Sequence, residues 1–144
     1  MNAEELAAAA SRAYMQTKIQ ALLLDQPENI MVLQIETEQG FNIVGIADGR
    51  AGLVGACEQA RDKFGPIRSV IFNSDAHASK VHDPLAGVDH IIDALVTIVV
   101  VRDQAPAYRC YAYYELPDGG LQFEQSDLDV DTIQDVIIDL NRVW

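Results

Sequence analysis

Ala94-Leu95-Val96-Thr97-Ile98-Val99-Val100-Val101 carries β-branched residues at both odd and even positions. A strand with only one buried face alternates apolar and polar residues, whereas a strand covered on both faces reads as a continuous apolar run. The stretch therefore predicts the spine of a sheet with packing layers on both sides. It is also the longest run in the chain without charge or strong polarity, far short of the ~20 residues a membrane helix needs. No spanning segment is expected.

On the C-terminal side, Arg102 to Pro106 reads as a turn into a strand over Ala107 to Leu116, where Tyr108, Cys110, Ala112 and Tyr114 alternate with Arg109, Tyr111, Tyr113 and Glu115. Pro117-Asp118-Gly119-Gly120 combines a preset φ with glycines that accept positive φ, and so predicts the next turn. Leu121 and Phe123 alternate with Gln122 and Glu124 in a short edge-like strand. The last helix begins at Asp129 or Asp131, with Ile133, Val136, Ile137, Leu140 and Val143 on one side and an aspartate stripe at 131, 135 and 139.

On the N-terminal side, Ser69 to Asn73 predicts a short strand, and Ser74 to Asp89 a long loop rich in Asp, His, Ser, Pro and Gly. Before it, Arg50 to Phe64 has the helical spacing, with Leu53, Val54, Cys57, Ala60 and Phe64 on one face and Gly65-Pro66 as its stop. Ile30 to Glu36 and Phe41 to Ala47 flank Thr37-Glu38-Gln39-Gly40 and predict a β-hairpin. A helix over Ala3 to Leu24 opens the chain, with Asn2 as N-cap, Glu5 at N3, and Met15, Ile19 and Leu22 as its apolar stripe.

The expected fold class is α+β, a mainly antiparallel sheet of about six strands with three packed helices, in the order α-β-β-α-β-loop-β-β-β-α. The helix between the second and third strands is expected to cross over between parallel neighbours. At 144 residues and 49% hydrophobic composition, residues 1–144 suit a single domain that buries roughly 68% of its unfolded surface without staples. This element order resembles that of the roadblock and profilin-like α/β sandwich families. A second resemblance lies in Ser69-Val70-Ile71-Phe72-Asn73-Ser74-Asp75-Ala76-His77 and its continuation in Asp93-Ala94-Leu95-Val96-Thr97-Ile98-Val99-Val100-Val101. This stretch is similar to small bacterial and phage proteins in which a strand ends in Ser-acidic-Ala-aromatic, and the likeness implies no activity.

The net charge of −12 repels phosphate backbones, so no nucleic-acid partner is expected. Glu4 and Glu5 stand where a secretory leader carries positive charge, which favours a cytoplasmic location. Cys57 and Cys110 fit no C-x-x-C spacing and read as reduced core thiols. From Glu115 to Trp144 there are eight acids and one base, making this the acidic end.

All three histidines, His77, His82 and His90, fall within fourteen residues, interleaved with Asp75, Asp83, Asp89 and Asp93. Imidazole and carboxylate are ligands for zinc, manganese or iron, so Asp75, His77, His82 and His90 form a candidate divalent-metal set. The spacing matches no zinc motif, and capping of turns in a solvated loop accounts for the same residues. Ser74 and Ser79 have histidines nearby but lie in neither a G-x-S-x-G nor an S-x-x-K context. Gly49, Gly52 and Gly55 lack the order of a phosphate loop and read as close helix packing.

Arg109, Tyr111 and Tyr113 share one strand face and form a candidate interface, aromatic and amphipathic. Cover by the first or last helix is the alternative. With no catalytic motif and no cofactor signature, the leading expectation is a noncatalytic protein-interaction or regulatory domain acting as a homodimer, with no membrane partner. The alternative is a metal-dependent hydrolase or metal-sensing domain using residues 74–93. A third reading, an acidic inhibitor mimicking nucleic acid, rests only on the aspartate stripe and the charge of the tail.

Overall fold

The computed structural model describes residues 2–23, 32–46, 49–77, 81–83, 88–90, 93–115, 117, 121–125, 130–142 and 144. Its helices are α1 (Ala3–Leu23), α2 (Gly49–Phe64) and α3 (Val130–Leu140). The strands are β1 (Val32–Thr37), β2 (Asn42–Ile46), β3 (Ile67–His77), β4 (Val81–Asp83), β5 (Val88–His90), β6 (Asp93–Val101), β7 (Ala107–Glu115) and β8 (Leu121–Gln125). Six of these strands form one antiparallel sheet in the order β2-β1-β3-β6-β7-β8, and β4 pairs with β5 in a separate ribbon. The fold is α+β, and β6 lies inside the sheet with every residue from Ala94 to Val101 buried.

Alternation along the strands divides the core into two layers. Val70, Phe72, Val96, Ile98, Val100 and Cys110 join Leu53, Cys57 and Ala60 of α2 and Val136, Ile137 and Leu140 of α3 on one face. Ile71, Val99, Val101 and Ala107 meet Ala3 and Ala7 of α1 on the other. Asn2 caps α1 by accepting the Glu5 amide at 2.8 Å, and Gln104 of the β6–β7 turn accepts the Ala3 amide at 2.9 Å. Two of the orphan donors at the helix start are thus satisfied.

Four local expectations are corrected. Among the described side chains of α1 the buried stripe is Ala3, Ala7, Ser11, Tyr14 and Lys18, while Met15 and Ile19 are only half-buried and the side chain of Leu22 lies outside the described residues; small and long amphipathic side chains bring this part of the helix onto the sheet. Within the segment expected as a loop from Ser74 to Asp89, Ser74 to His77 continue β3, paired along β6, and Val81–Asp83 pairs with Val88–His90 in the β4–β5 ribbon, while 78–80 and 84–87 lie outside the described residues. Backbone pairing, which composition does not register, overrides the polar character of these residues. Because β1 is antiparallel to both β2 and β3, the strands joined by α2 are parallel but have β1 between them. A Cβ at Gly55 meets nothing within 4 Å, so close packing does not explain that glycine.

The hairpin loop is one residue shorter than expected. Thr37 donates its amide to the Phe41 carbonyl at 2.9 Å, and Gly40 donates to the Thr37 carbonyl at 3.0 Å. With φ of 90° at Gly40, this is a type I turn closed by a G1 bulge, the three-residue connection that needs glycine at its last position. Gly65, with φ of 95°, ends α2 by donating to the Arg61 carbonyl at 2.9 Å.

Candidate functional site

The four candidate metal ligands lie on backbone elements that are described, but their side chains lie outside the described residues. In the ladders, Asp75 is opposite Leu95 and His77 opposite Asp93, while His82 is opposite Asp89 and His90 opposite Val81. Ser79 lies outside the described residues, and Ser74 is buried in β3. Among the described residues, no group of three or more His, Cys, Asp and Glu side chains is placed to hold a metal ion.

Arg109, Tyr111 and Tyr113 are opposite Thr97, Leu95 and Asp93, on the sheet face that α1 covers. Each is half-buried. Arg109 lies 3.7 Å from the Glu4 carboxylate, the Lys18 ammonium stands 5.4 Å from the Tyr113 ring centroid, and Phe123 packs on Tyr113 at 5.8 Å. Arg109 and Tyr113 thus have intramolecular contacts with α1, and Tyr113 with β8 as well.

A groove of about 640 Å³ opens where the α1 N-terminus meets the β6–β7 turn, lined by Glu36, Glu38, Arg68, Arg102, Asp103 and Gln104 among others. Its charges oppose each other. Arg102 reaches Glu38 at 3.1 Å and stacks over Trp144 at 5.7 Å, and Ser69 donates to Glu36 at 3.3 Å. Asp103 holds a left-handed φ of 63° in the turn. Two guanidinium groups set against three carboxylates form a surface charge network, and the Ser69 hydroxyl that donates to Glu36 is buried, 4% exposed.

Cys57 offers no reactive thiol. Cys57 and Cys110 are both buried, and burial, with the Glu58 carboxylate beside it, pushes the Cys57 thiol up from 9.0 to about 11. A thiol held in its protonated form is a poor nucleophile at neutral pH.

The sheet has two edges of different character. β8 ends the sheet with Gln122, Glu124 and Gln125 exposed. The other edge, β2, presents Val44 at 67% exposure, and Phe41 just before it is 48% exposed against Phe64 of α2 at 5.3 Å. From Gly40 to Ala47 there is no charged residue. That neutral run was readable in the sequence, but its position at an edge depends on which strands pair. No family model, curated protein or solved structure matches this chain.

Proposed function

We propose that this chain is a noncatalytic protein-interaction or regulatory domain, cytoplasmic, that works as a homo-oligomer. The supporting observation is the pair of exposed apolar side chains Phe41 and Val44 within the uncharged run from Gly40 to Ala47, in a chain of net charge −12. An acidic chain that meets a copy of itself through a neutral surface avoids like-charge repulsion there. Analytical ultracentrifugation across a hundredfold concentration range tests this. The expected result is a mass rising from 15.8 kDa towards twice that value; a strict monomer throughout overturns the reading.

A second reading, a metal-dependent hydrolase or metal-sensing domain, draws on the backbone register that sets His82 against Asp89 and His77 against Asp93. Elemental analysis after mild purification is its test. Stoichiometric zinc, manganese or iron, lost in His77→Ala and His82→Ala, supports it, and metal-free protein whose melting temperature ignores added zinc overturns it. No membrane partner enters either reading, and no described helix is long and apolar enough to cross a bilayer.

A further inference from the structure

We propose that a second copy of this chain pairs on β2, antiparallel about a two-fold axis at Val44, so that two six-stranded sheets become one. The inference rests on the homo-oligomer reading above and names its surface and geometry.

The hydrogen-bond pattern of the hairpin determines which β2 groups face the outer edge of the sheet. Thr37 and Phe41 form a bonded pair through the Thr37 amide. In an antiparallel ladder, bonded and non-bonded pairs alternate, so Ile43 and Gly45 bond to β1 opposite Ile35 and Leu33. The amides and carbonyls of Asn42, Val44 and Ile46 then point away from β1, along the outer edge of the sheet.

Most soluble proteins blunt such an edge with charge, proline or a bulge. β2 has no charged residue or proline, and its register with β1 runs without interruption from Val32↔Ile46 to Glu36↔Asn42. The opposite edge, β8, carries an exposed Glu124 flanked by Gln122 and Gln125, which suits an edge kept apart.

The sequence of β2 also complements itself. With Val44 on the axis, Val44 bonds to its own copy, and Asn42 of each chain lies opposite Ile46 of the other. About six backbone hydrogen bonds result. Ile43 falls opposite Gly45, whose missing side chain leaves open space, since a Cβ there meets nothing within 4 Å in the single chain. The occupant favoured by this neutral strip is one that brings no charge of its own, and in an acidic protein the strip itself meets that need.

The test uses the full chain. In sedimentation equilibrium, Val44→Glu sets two like charges opposite each other at the axis, and Val44→Pro removes the outward amide without touching a β1 bond. Val44→Pro is expected to weaken dimerisation by about 30-fold, as loss of two reciprocal hydrogen bonds implies, and Val44→Glu to weaken it through repulsion of the paired charges. Ile138→Glu, at a residue 49% exposed on α3, should leave the dimer intact. Amide exchange on the unaltered protein gives a readout independent of any variant's folding. Concentrating the sample should slow exchange at Asn42, Val44 and Ile46 while Ile43 and Gly45 stay unchanged. A dimer that persists in both Val44 variants, or that forms without slowing the Val44 amide, overturns the β2 pairing while the homo-oligomer reading stands. A monomer at all concentrations overturns both.

Discussion

The two faces of the central sheet are built on different principles. On the α2–α3 face, Leu53, Ile67, Phe72, Ile98 and Leu140 form a dry layer of large side chains. On the α1 face, contact begins with Ala3 and Ala7 against Val99, Val101 and Ala107. It continues through the buried polar residues Ser11 and Lys18, while Thr97 donates its hydroxyl to Asn73 at 2.6 Å within the sheet. One layer is held by volume, and the other by close approach of small residues and by polar groups that must be satisfied. The dry layer should therefore be sensitive to lost volume and to charge, and the polar layer to lost partners.

The largest expected effect is on volume. Leu53 has no exposed surface, and Leu53→Ala removes buried methyl groups from a layer that relaxes only in part. A loss of about 3 kcal/mol in unfolding free energy is expected from urea titration. A loss below about 1 kcal/mol would mean that this face collapses around the gap, against close packing.

Charge is the next lever on the same face. Cys57 keeps its proton in the folded state up to about pH 11, against 9.0 for the ordinary thiol. Because the folded value is the raised one, its contribution to stability is complete below pH 9 and is lost as the pH rises through about 11. The size is about 2 kcal/mol over that window. Comparing unfolding free energies at pH 8 and pH 11 for the native chain and Cys57→Ala isolates this thiol from the tyrosines and lysines that also titrate. An equal decline in both proteins would refute its part in the alkaline loss.

The same contrast explains what was legible in the sequence. The α2–α3 face was readable because Leu53, Cys57 and Ala60, and Val136, Ile137 and Leu140, repeat at helical spacing, and Ala94 to Val101 shows its double burial by composition. The α1 face was not, because hydrophobic periodicity does not register Ser11 or Lys18 as core, and Met15 and Ile19 offered a stronger but misplaced signal. Ser74 to His77 read as loop for a related reason, since polar side chains hide a backbone fully paired to β6. Arg109, Tyr111 and Tyr113 were correctly placed on one strand face, but cover by α1 depends on tertiary packing that residue order does not encode. The Gly40–Ala47 edge needed the strand order as well as its composition.

The smallest effect tests the polar layer. Thr97→Val keeps the shape of the side chain and removes the hydroxyl, leaving the Asn73 carbonyl oxygen without that donor in a site where both residues are buried. A cost of about 1 kcal/mol is expected, because a buried acceptor loses its partner and gains no water. The double variant Thr97→Val/Asn73→Leu separates the two principles. If the layer is held by pairing, removing both polar groups should recover much of the loss, since neither then remains unsatisfied. If volume governs this face as it does the other, the added leucine has no matching space beneath α1, and the double variant should be less stable than either single one.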